Sequence, residues 1–439
     1  MNLDSLSNRG VRAAGTPLRI DYDAFMEAEE DRYHPEDNPS GKLPLNIAEN
    51  RLSWHELREK IEEITRGTSI PDWVPGYTST RGAPEFREAA AHFLARHLTD
   101  CAIDPERLGV SAGATSVIET TCFALADAGD VAVIPAPCYP VYRQDMGNVP
   151  GVERFDLVTH HEPQEIARGP VLDVEHLEGA LGEIEAAGKR FRMLVVTSPD
   201  NPTGGIHRIE RLRRLAGWCI DHGIHMVLNE IYGLSLLDTD HPDIRMDYEG
   251  AVPFTSFAQV MADLDSDYLH LWYALSKDLG ISGFRVGFLY SLNEALLQAY
   301  ENFNLPHSIS NHTQWLLGKL LTDDHFMDGY VARNQERLTG SYARVVRHLK
   351  RLDLPYVPAR GSLFVWSDFS ELMDGASEEA ELGLWKAIFR EAGVLLTPGV
   401  GFGHTKHGIF RIVHPCVEAE ELEVAMKRLG RFVRGARGA

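Results

Sequence analysis

The chain has 439 residues, 44% hydrophobic and 24% charged, which is the composition of a globular protein with one large domain and a smaller one. Its formal net charge of −21 argues against a nucleic-acid partner, because phosphate backbones bind basic surfaces. No apolar run is long enough to span a membrane, and five scattered cysteines predict free thiols in the cytoplasm and no metal site.

The central region alternates short apolar strands with helices. After a loose polar arm over the first 17 residues, helices are predicted over 84–98 and 208–222. Buried strands are predicted over 131–135, 193–198, 225–229 and 268–273. This alternation predicts an α/β fold, with a mostly parallel sheet covered by helices on both faces.

The last third of the chain has a different pattern. A long helical region is predicted from 293 to 352, and strands over 362–366 and 409–413 precede an amphipathic helix over 418–433. This pattern predicts a smaller α+β domain that the N-terminal segment completes. We therefore divide the chain into an N-terminal arm and part of the small domain (1–50), a large cofactor-binding domain (51–305) and a C-terminal small domain (306–439).

Lys277 follows the last predicted strand of the sheet and has apolar neighbours. Ligands of open α/β sheets bind at the carboxyl ends of strands. Desolvation there favours a neutral amine, which can form a Schiff base with a carbonyl cofactor. Arg285, eight residues later, offers a forked donor for a phosphate. The pair suits pyridoxal 5′-phosphate (PLP), although a surface lysine in a loop could have the same local sequence.

Four further segments could contribute to the same site. Residues 111–116 begin a helix whose backbone N–H groups and Thr115 hydroxyl suit an anion, although such helix starts are common. Tyr139 could stack on a pyridine ring or simply pack in the core. Asn201 could donate to a phenolate oxygen or merely form a turn. Asn229 ends the third strand, and Tyr232 follows it.

In this combination and order, the segments resemble the fold-type-I PLP enzymes of the class I/II aminotransferase family. Within that family the chain is most similar to 1-aminocyclopropane-1-carboxylate (ACC) synthases and their relatives. The resemblance covers nearly everything from residue 38 to the C-terminus. It is carried by residues 38–41, 46–50, 77, 82–87, 111–119, 198–204, 276–278, 283–287, 361–364 and 410–411.

The resemblance implies how the cofactor is held. Lys277 would bind PLP covalently and then act as acid and base at the substrate α-carbon. Arg285, Ser276 and the backbone of Ala114 and Thr115 would hold the cofactor phosphate. Around the ring, Tyr139 would stack on one face, whereas the 3′-oxygen would accept hydrogen bonds from two side chains, Asn201 and Tyr232.

The resemblance also implies the substrate and subunit contacts. Arg411 would bind the substrate α-carboxylate through a bidentate pair. Glu49 would lie near the substrate side chain, where a carboxylate suits a cationic group such as a sulfonium. Tyr77 would reach the cofactor phosphate of a neighbouring subunit, which makes a homodimer the working unit.

Two positions depart from the family pattern. Asn229 stands where the family has an aspartate that keeps the pyridine nitrogen protonated. Because an amide is neutral, it cannot stabilise that charge, and the cofactor becomes a weaker electron sink. Ala274 stands where the family has a hydroxyl ligand of the phosphate. An introduced substitution at Asn229 and harmless drift at Ala274 explain the departures as well as a retuned reaction does.

The sequence therefore leaves three hypotheses. The first is a PLP-dependent lyase or transferase that performs γ-elimination or γ-replacement on S-adenosylmethionine, as ACC synthases and natural-product relatives do. The second is an amino-acid aminotransferase, for which Asn229 is poorly suited. The third is a degenerate PLP-binding protein without catalysis, against which the presence of Lys277, Arg285 and Arg411 argues.

Overall fold

The computed structural model describes residues 3–17, 19–160, 170–250 and 252–438. The strands within these ranges are short, as is usual for an α/β protein. In chain order they are β1 (Leu43–Pro44), β2 (Leu108–Ser111), β3 (Val131–Ala136), β4 (Glu153–Val158), β5 (Phe191–Thr197), β6 (His225–Asn229), β7 (Leu269–Ala274), β8 (Gly287–Ser291), β9 (Tyr356–Val357), β10 (Phe364–Asp368), β11 (Val394–Leu395) and β12 (Ile409–Val413).

The helices lie between these strands and at both ends of the described chain. In chain order they are α1 (Asn8–Gly15), α2 (Tyr22–Glu30), α3 (Trp54–Gly67), α4 (Pro84–Leu94), α5 (Ala114–Leu125), α6 (Tyr142–Gly147), α7 (Val174–Ala186), α8 (Ile209–Asp221), α9 (Ala258–Leu264), α10 (Leu275–Asp278), α11 (Glu294–Phe303), α12 (Asn311–Leu321), α13 (Asp324–Arg351), α14 (Glu378–Ala387) and α15 (Ala419–Gly438). Within the ranges that the structure describes, no helix has the length and apolarity needed to cross a membrane.

The main sheet has seven strands in the order β2-β8-β7-β6-β5-β3-β4. Strand β8 runs antiparallel to both β2 and β7, and every other pair of adjacent strands in this sheet is parallel. Successive residues of a strand point to opposite faces, and in β5 Leu194 and Val196 join one hydrophobic cluster whereas Met193 and Val195 join another. Both faces are therefore buried, which confirms the predicted α/β fold with its covered, mostly parallel sheet.

The register of the central strands positions the site. Thr197 at the end of β5 pairs with Asn229 at the end of β6, and Asn229 pairs with Trp272 of β7. The loops that follow these three strands consequently leave the sheet at one edge. The segments after β5 and β6 contain Asn201 and Tyr232, and the short helix α10 after β7 contains Lys277. These residues therefore lie at the same edge of the sheet, where a ligand is expected to bind.

A second hydrophobic cluster lies beside the main sheet. Strands β12, β10 and β9 form an antiparallel sheet in that order, and its core also includes buried residues of α13, α14 and α15. The N-terminal segment joins it, because β1 pairs in parallel with β11. The domain boundaries at residues 50 and 305 stay a prediction.

Six of the described strands (β1, β2, β4, β8, β9 and β11) were not predicted from the sequence, and one helix lies where a loose arm was expected. The first 17 residues, expected to be a loose arm, contain α1, although it has no buried residue and is capped by the Ser7 side chain. Strands β2, β4 and β8 were not predicted, since β2 is short, β4 is largely half-exposed and β8 begins in a glycine-flanked segment. The helical region over 293–352 comprises α11, α12 and α13.

Candidate active site

Lys277 is partly buried just after β7, in the single turn of α10. Its Nζ donates to the carbonyl oxygen of Ala48 at 2.6 Å. Burial lowers the pKa of Lys277, Glu49 opposes that shift, and the nearby cations Arg411 and Arg285 add to it, so that the resulting pKa is about 8. A substantial share of this amine is therefore neutral near pH 8, as a nucleophile for a carbonyl group must be.

Lys277 lines a cavity of about 210 Å³, which we call the inner cavity. It brings together nine of the site residues predicted from the sequence. These are Ala114, Thr115, Tyr139, Asn201, Asn229, Tyr232, Ser276, Lys277 and Arg285. Residues that are far apart in the chain thus meet at one place, which their sequence positions alone could not establish.

One end of the inner cavity suits a phosphate. The N-terminus of α5 begins there, after Gly113 at φ +86°, and the Arg285 guanidinium lies so close that a Cβ on Gly113 would collide with it. Arg285 is fixed by donating to the carbonyl oxygens of Ser282 and Ala112, at 2.9 and 3.2 Å. A cradle that excludes side chains, with helix N–H groups and a guanidinium, fits the dianionic phosphate of PLP.

Asn229 lies at the other end of the inner cavity and is already hydrogen-bonded. Its Nδ2 donates to the Tyr142 hydroxyl at 2.8 Å, and its Oδ1 accepts from the Ile231 backbone N–H at 3.2 Å. The Tyr142 hydroxyl also lies 2.9 Å from Thr197 Oγ1. These groups are all neutral, so the position carries no charge of its own.

The aromatic residues predicted to surround a cofactor ring line the same space. Tyr139 packs edge-on against Tyr142, with ring centroids 5.2 Å apart. Tyr232 is buried and packs edge-on against Phe364. Burial raises the pKa of both tyrosine hydroxyls well above the ordinary value, so both remain protonated hydrogen-bond donors. The walls thus combine flat apolar surface with polar tips, which fits a pyridine ring.

Arg411 on β12 is the buried cation of the site. Its Nη1 donates to Asn201 Oδ1 at 2.9 Å, and its Nη2 donates to the Asn46 carbonyl oxygen and to Thr397 Oγ1 at 3.1 and 3.2 Å. The guanidinium carbon also lies 4.5 Å from the centroid of the Phe364 ring. Burial lowers the pKa of Arg411 to about 10, and its Nε has no partner among the described residues. A carboxylate is the natural complement for such a cation.

A second space, which we call the outer cavity, adjoins the inner one. Its volume is about 540 Å³, and it shares Ala48, Tyr139, Lys277 and Ser282 with the inner cavity. Glu49 and Arg411 also line it. The two predicted substrate residues are thus together, beside the lysine.

Glu49 is held in place at the wall of the outer cavity. Its Oε2 accepts from Arg51 Nη2 at 3.0 Å, and its Oε1 accepts from the Ser282 hydroxyl at 3.3 Å. About a third of the Glu49 side chain is exposed. A partly solvated carboxylate can attract a cationic ligand.

Tyr77 is not part of the site within one chain. Its side chain is fully exposed and lines a separate surface cavity of about 860 Å³, with residues of the 305–314 region on the opposite wall. Neither cavity that contains Lys277 includes it. Any contact of Tyr77 with the cofactor therefore requires a second subunit.

Sequence reasoning missed two buried carboxylates near the lysine. Asp278 accepts hydrogen bonds from the Leu234 N–H, the Ser235 hydroxyl and the Tyr273 hydroxyl, and it anchors the turn that carries Lys277. Its place directly after the lysine was a signal that could have found it. Asp145 lines the inner cavity, and its spacing from Tyr142, three residues along one helix, was the only signal in the sequence.

Comparison with known proteins shows the family to which this chain belongs. The family model described as "Aminotransferase class I and II" matches residues 40–429. ACC synthase 6 of Arabidopsis thaliana is 29% identical over 422 residues, which cover 94% of this chain and 82% of that protein. ACC synthase 4 of Oryza sativa subsp. japonica is 32% identical over 453 residues, covering 98% and 89%.

Solved structures agree in fold. Aspartate aminotransferase from Thermus thermophilus with maleate superposes with a TM-score of 0.77 at 22% identity, covering 98% of this chain and 100% of that one. A Pyrococcus structure named protein-A1 gives 0.78 at 19% identity, with 98% and 100% covered. The family match and the cavity around Lys277 together identify this chain as a member of the class I and II aminotransferase family, whose cofactor is pyridoxal 5′-phosphate.

Proposed function

We propose that this PLP-dependent enzyme acts on S-adenosylmethionine, and that it removes or replaces the sulfonium group at the γ-carbon. The observation that carries the proposal is the outer cavity, which joins Lys277 to the Glu49 carboxylate. At about 540 Å³ it lies within the usual range for a site that holds a nucleoside-sized ligand. The similarity to ACC synthases over 94% of the chain supports the same substrate.

In this proposal Lys277 is the catalytic acid and base. Bound PLP supplies a carbonyl group for the substrate amine and a ring that withdraws electrons from the α-carbon. With PLP and substrate bound, the Lys277 amine would take the α-proton. Its lowered pKa suits that task, because a base works best when its pKa lies near the working pH.

Arg411 orients the substrate by binding its α-carboxylate. Its contacts with Asn201, Asn46 and Thr397 fix the guanidinium at the wall of the outer cavity. A buried, pre-oriented cation costs little entropy when it binds, so it can hold the α-carbon beside Lys277.

Glu49 attracts the sulfonium. A carboxylate in a partly solvated cavity favours a cationic side chain over a neutral or acidic one. When the sulfonium leaves as a neutral thioether, its charge disappears, and so does the attraction that held it.

Asn229 favours γ-chemistry over transamination in our proposal. Because this amide and its hydrogen-bond partners are neutral, it stabilises a protonated ring nitrogen less than a carboxylate partner would, and the ring then withdraws fewer electrons from the α-carbon. A weaker sink suits a reaction in which charge departs with a leaving group. Ala274, buried at the end of β7, leaves one fewer hydroxyl for the phosphate.

The working unit in this proposal is a homodimer. Tyr77 is fully exposed within one chain, and Leu305 beside the same surface cavity is 60% exposed. A second copy packed on this surface would cover both side chains and bring Tyr77 to the partner's phosphate cradle.

Incubation with S-adenosylmethionine and mass spectrometry of the products tests the proposed reaction. Release of methylthioadenosine, with a cyclised or substituted amino acid, is the expected result. A keto acid as the main product would instead establish the second candidate, an amino-acid aminotransferase. The fold shared with aminotransferases is compatible with that candidate, and the buried Arg411 guanidinium would serve either reaction equally.

A further inference from the structure

Asp145 is a buried carboxylate that faces the inner cavity without a partner. It lies on α6, is 5% exposed, and its Oδ2 has no hydrogen-bond partner within the described ranges. Among the described residues that line the inner cavity, Asp145 is the sole carboxylate. A polar group that is buried without a partner costs stability, and a structure that retains one often does so for a ligand.

Among the described residues no cation pairs with Asp145, although Lys277 and Arg285 also line the inner cavity. Glu119 on α5 repels it and is itself paired with His307, and Asp156 on the neighbouring β4 is paired with Arg154. The remaining titratable neighbours are neutral side chains whose pKa values burial raises, namely Cys122, Tyr139 and Tyr142. Burial first, and then Glu119, raise the pKa of Asp145 to about 7.

Asp145 and Asn229 flank the same side chain. Tyr142 accepts a hydrogen bond from Asn229, and Asp145 lies three residues further along α6, on the same side of that helix. All three residues line the inner cavity. The cavity therefore lacks a carboxyl group at position 229 but has one, Asp145, about a helical turn from the Tyr142 that Asn229 contacts.

We propose that Asp145 supplies the negative charge that Asn229 does not, and that it strengthens the hold of the cofactor ring nitrogen on its proton. Asp145 acts through the electric field in the cavity, so it tunes the cofactor and is not a proton-transferring residue. Because Asp145 lies farther from the ring nitrogen than a direct partner would, it stabilises the protonated ring only partly. The cofactor ring is therefore a weaker electron sink than it would be with a carboxylate at position 229. The inference rests on PLP as the family's cofactor and is independent of the proposed substrate.

The test follows the ring nitrogen directly. The enzyme is loaded with PLP that carries ¹⁵N in the ring, without substrate, and the ¹⁵N chemical shift is followed against pH. Removing an anion lowers the pKa of a nearby cation, so Asp145→Asn is expected to lower the pH midpoint of ring protonation by about one unit. Asn229→Asp places an anion closer and is expected to raise it.

Glu119→Gln is the matched control, because it makes the same carboxylate-to-amide change on an adjacent helix outside the lining of the cavity. Glu119→Gln should move the pH midpoint of ring protonation by less than about half as much as Asp145→Asn does, since Coulomb interactions weaken with distance. The double variant Asp145→Asn/Asn229→Asp should recover a midpoint at or above that of the natural chain.

A midpoint unchanged by Asp145→Asn would overturn the inference, as would an equal shift from Glu119→Gln. If Asp145→Asn alone fails to fold, Asn229→Asp is compared with the double variant. Asn229→Asp alone, which keeps Asp145 and adds a second carboxylate, must then have a higher midpoint of ring protonation than the double variant. Equal midpoints would refute the role of Asp145. If the natural chain takes up no PLP, cofactor binding itself has failed. That outcome differs from a failure of the inference, in which PLP binds but the midpoint of ring protonation does not move.

Discussion

The two ends of the inner cavity differ in how closely they follow the family pattern. At the end proposed for the phosphate, Arg285, Gly113 and the start of α5 are present and fixed by close contacts. At the end proposed for the ring nitrogen, a neutral Asn229 replaces the expected aspartate, and Asp145 lies nearby without a partner. The groups expected to bind the phosphate thus follow the family pattern, whereas the charge expected beside the ring nitrogen does not, and the predictions below test that division.

The largest effect of a substitution is expected at Lys277. Lys277→Ala should abolish the visible absorbance that borohydride bleaches, and it should slow exchange of the substrate α-proton by about 10²- to 10⁴-fold, the usual contribution of a positioned base. Proton exchange is measured by NMR in deuterated water. An undiminished rate in the variant would show that another group removes the proton.

Arg411→Lys should weaken amino-acid binding while PLP stays bound. A lysine cannot reproduce the bidentate geometry or the contact with the Phe364 ring, so an affinity loss of about 10- to 100-fold is expected for the loss of a charged hydrogen bond. The measurement is a titration followed by absorbance, with the decarboxylated substrate analogue as control. If natural and variant proteins discriminate equally between substrate and analogue, another residue reads the carboxylate.

The phosphate end can be perturbed without changing its charges. Gly113→Ala would place a methyl group against the Arg285 guanidinium, so the dissociation constant for PLP should rise about tenfold. Gly129→Ala is the matched control, because Gly129 has a similar φ of +91° but open space around its Cβ position. Equal losses in the two variants would mean that backbone strain, and not displacement of Arg285, is responsible.

The smallest effect is a shift in pH dependence. Because the folded chain lowers the pKa of Lys277 to about 8, its neutral fraction rises as pH increases through 8 and then levels off. The rate of PLP capture by the apoprotein should follow that curve, measured by borohydride trapping, with Lys277→Ala as the blank. A rate that keeps rising towards the ordinary lysine pKa of about 10.4 would contradict the burial argument.

The sequence predicted most of the fold because the central strands are continuous apolar runs. The predicted boundaries of the strand ending at Asn229 and of the one carrying Arg411 coincide with β6 and β12. Edge strand β4 was missed because its exposed residues break the apolar pattern. Helix α1 was missed because it buries nothing, so no hydrophobic period marks it.

Prediction of the site had a different limit. Lys277, Arg285 and Asn201 stand in recognisable motifs after strands, so their residue types and positions were informative. Asp145 has no motif, and its importance comes from burial and from the absence of a described partner, which only tertiary structure reveals. Tyr77 remains a prediction about a second subunit, because one chain leaves it fully exposed.

The most direct test of the account is the ratio of methylthioadenosine to keto acid formed from S-adenosylmethionine, before and after Asn229→Asp. If Asn229 is natural and tunes the cofactor, the natural chain should give mainly methylthioadenosine, and the variant should form more keto acid because its ring withdraws electrons more strongly. If the asparagine was instead introduced, the same change should raise turnover by orders of magnitude without altering the products. An unchanged ratio at an unchanged rate would contradict the claim that the partner of the ring nitrogen governs this chemistry.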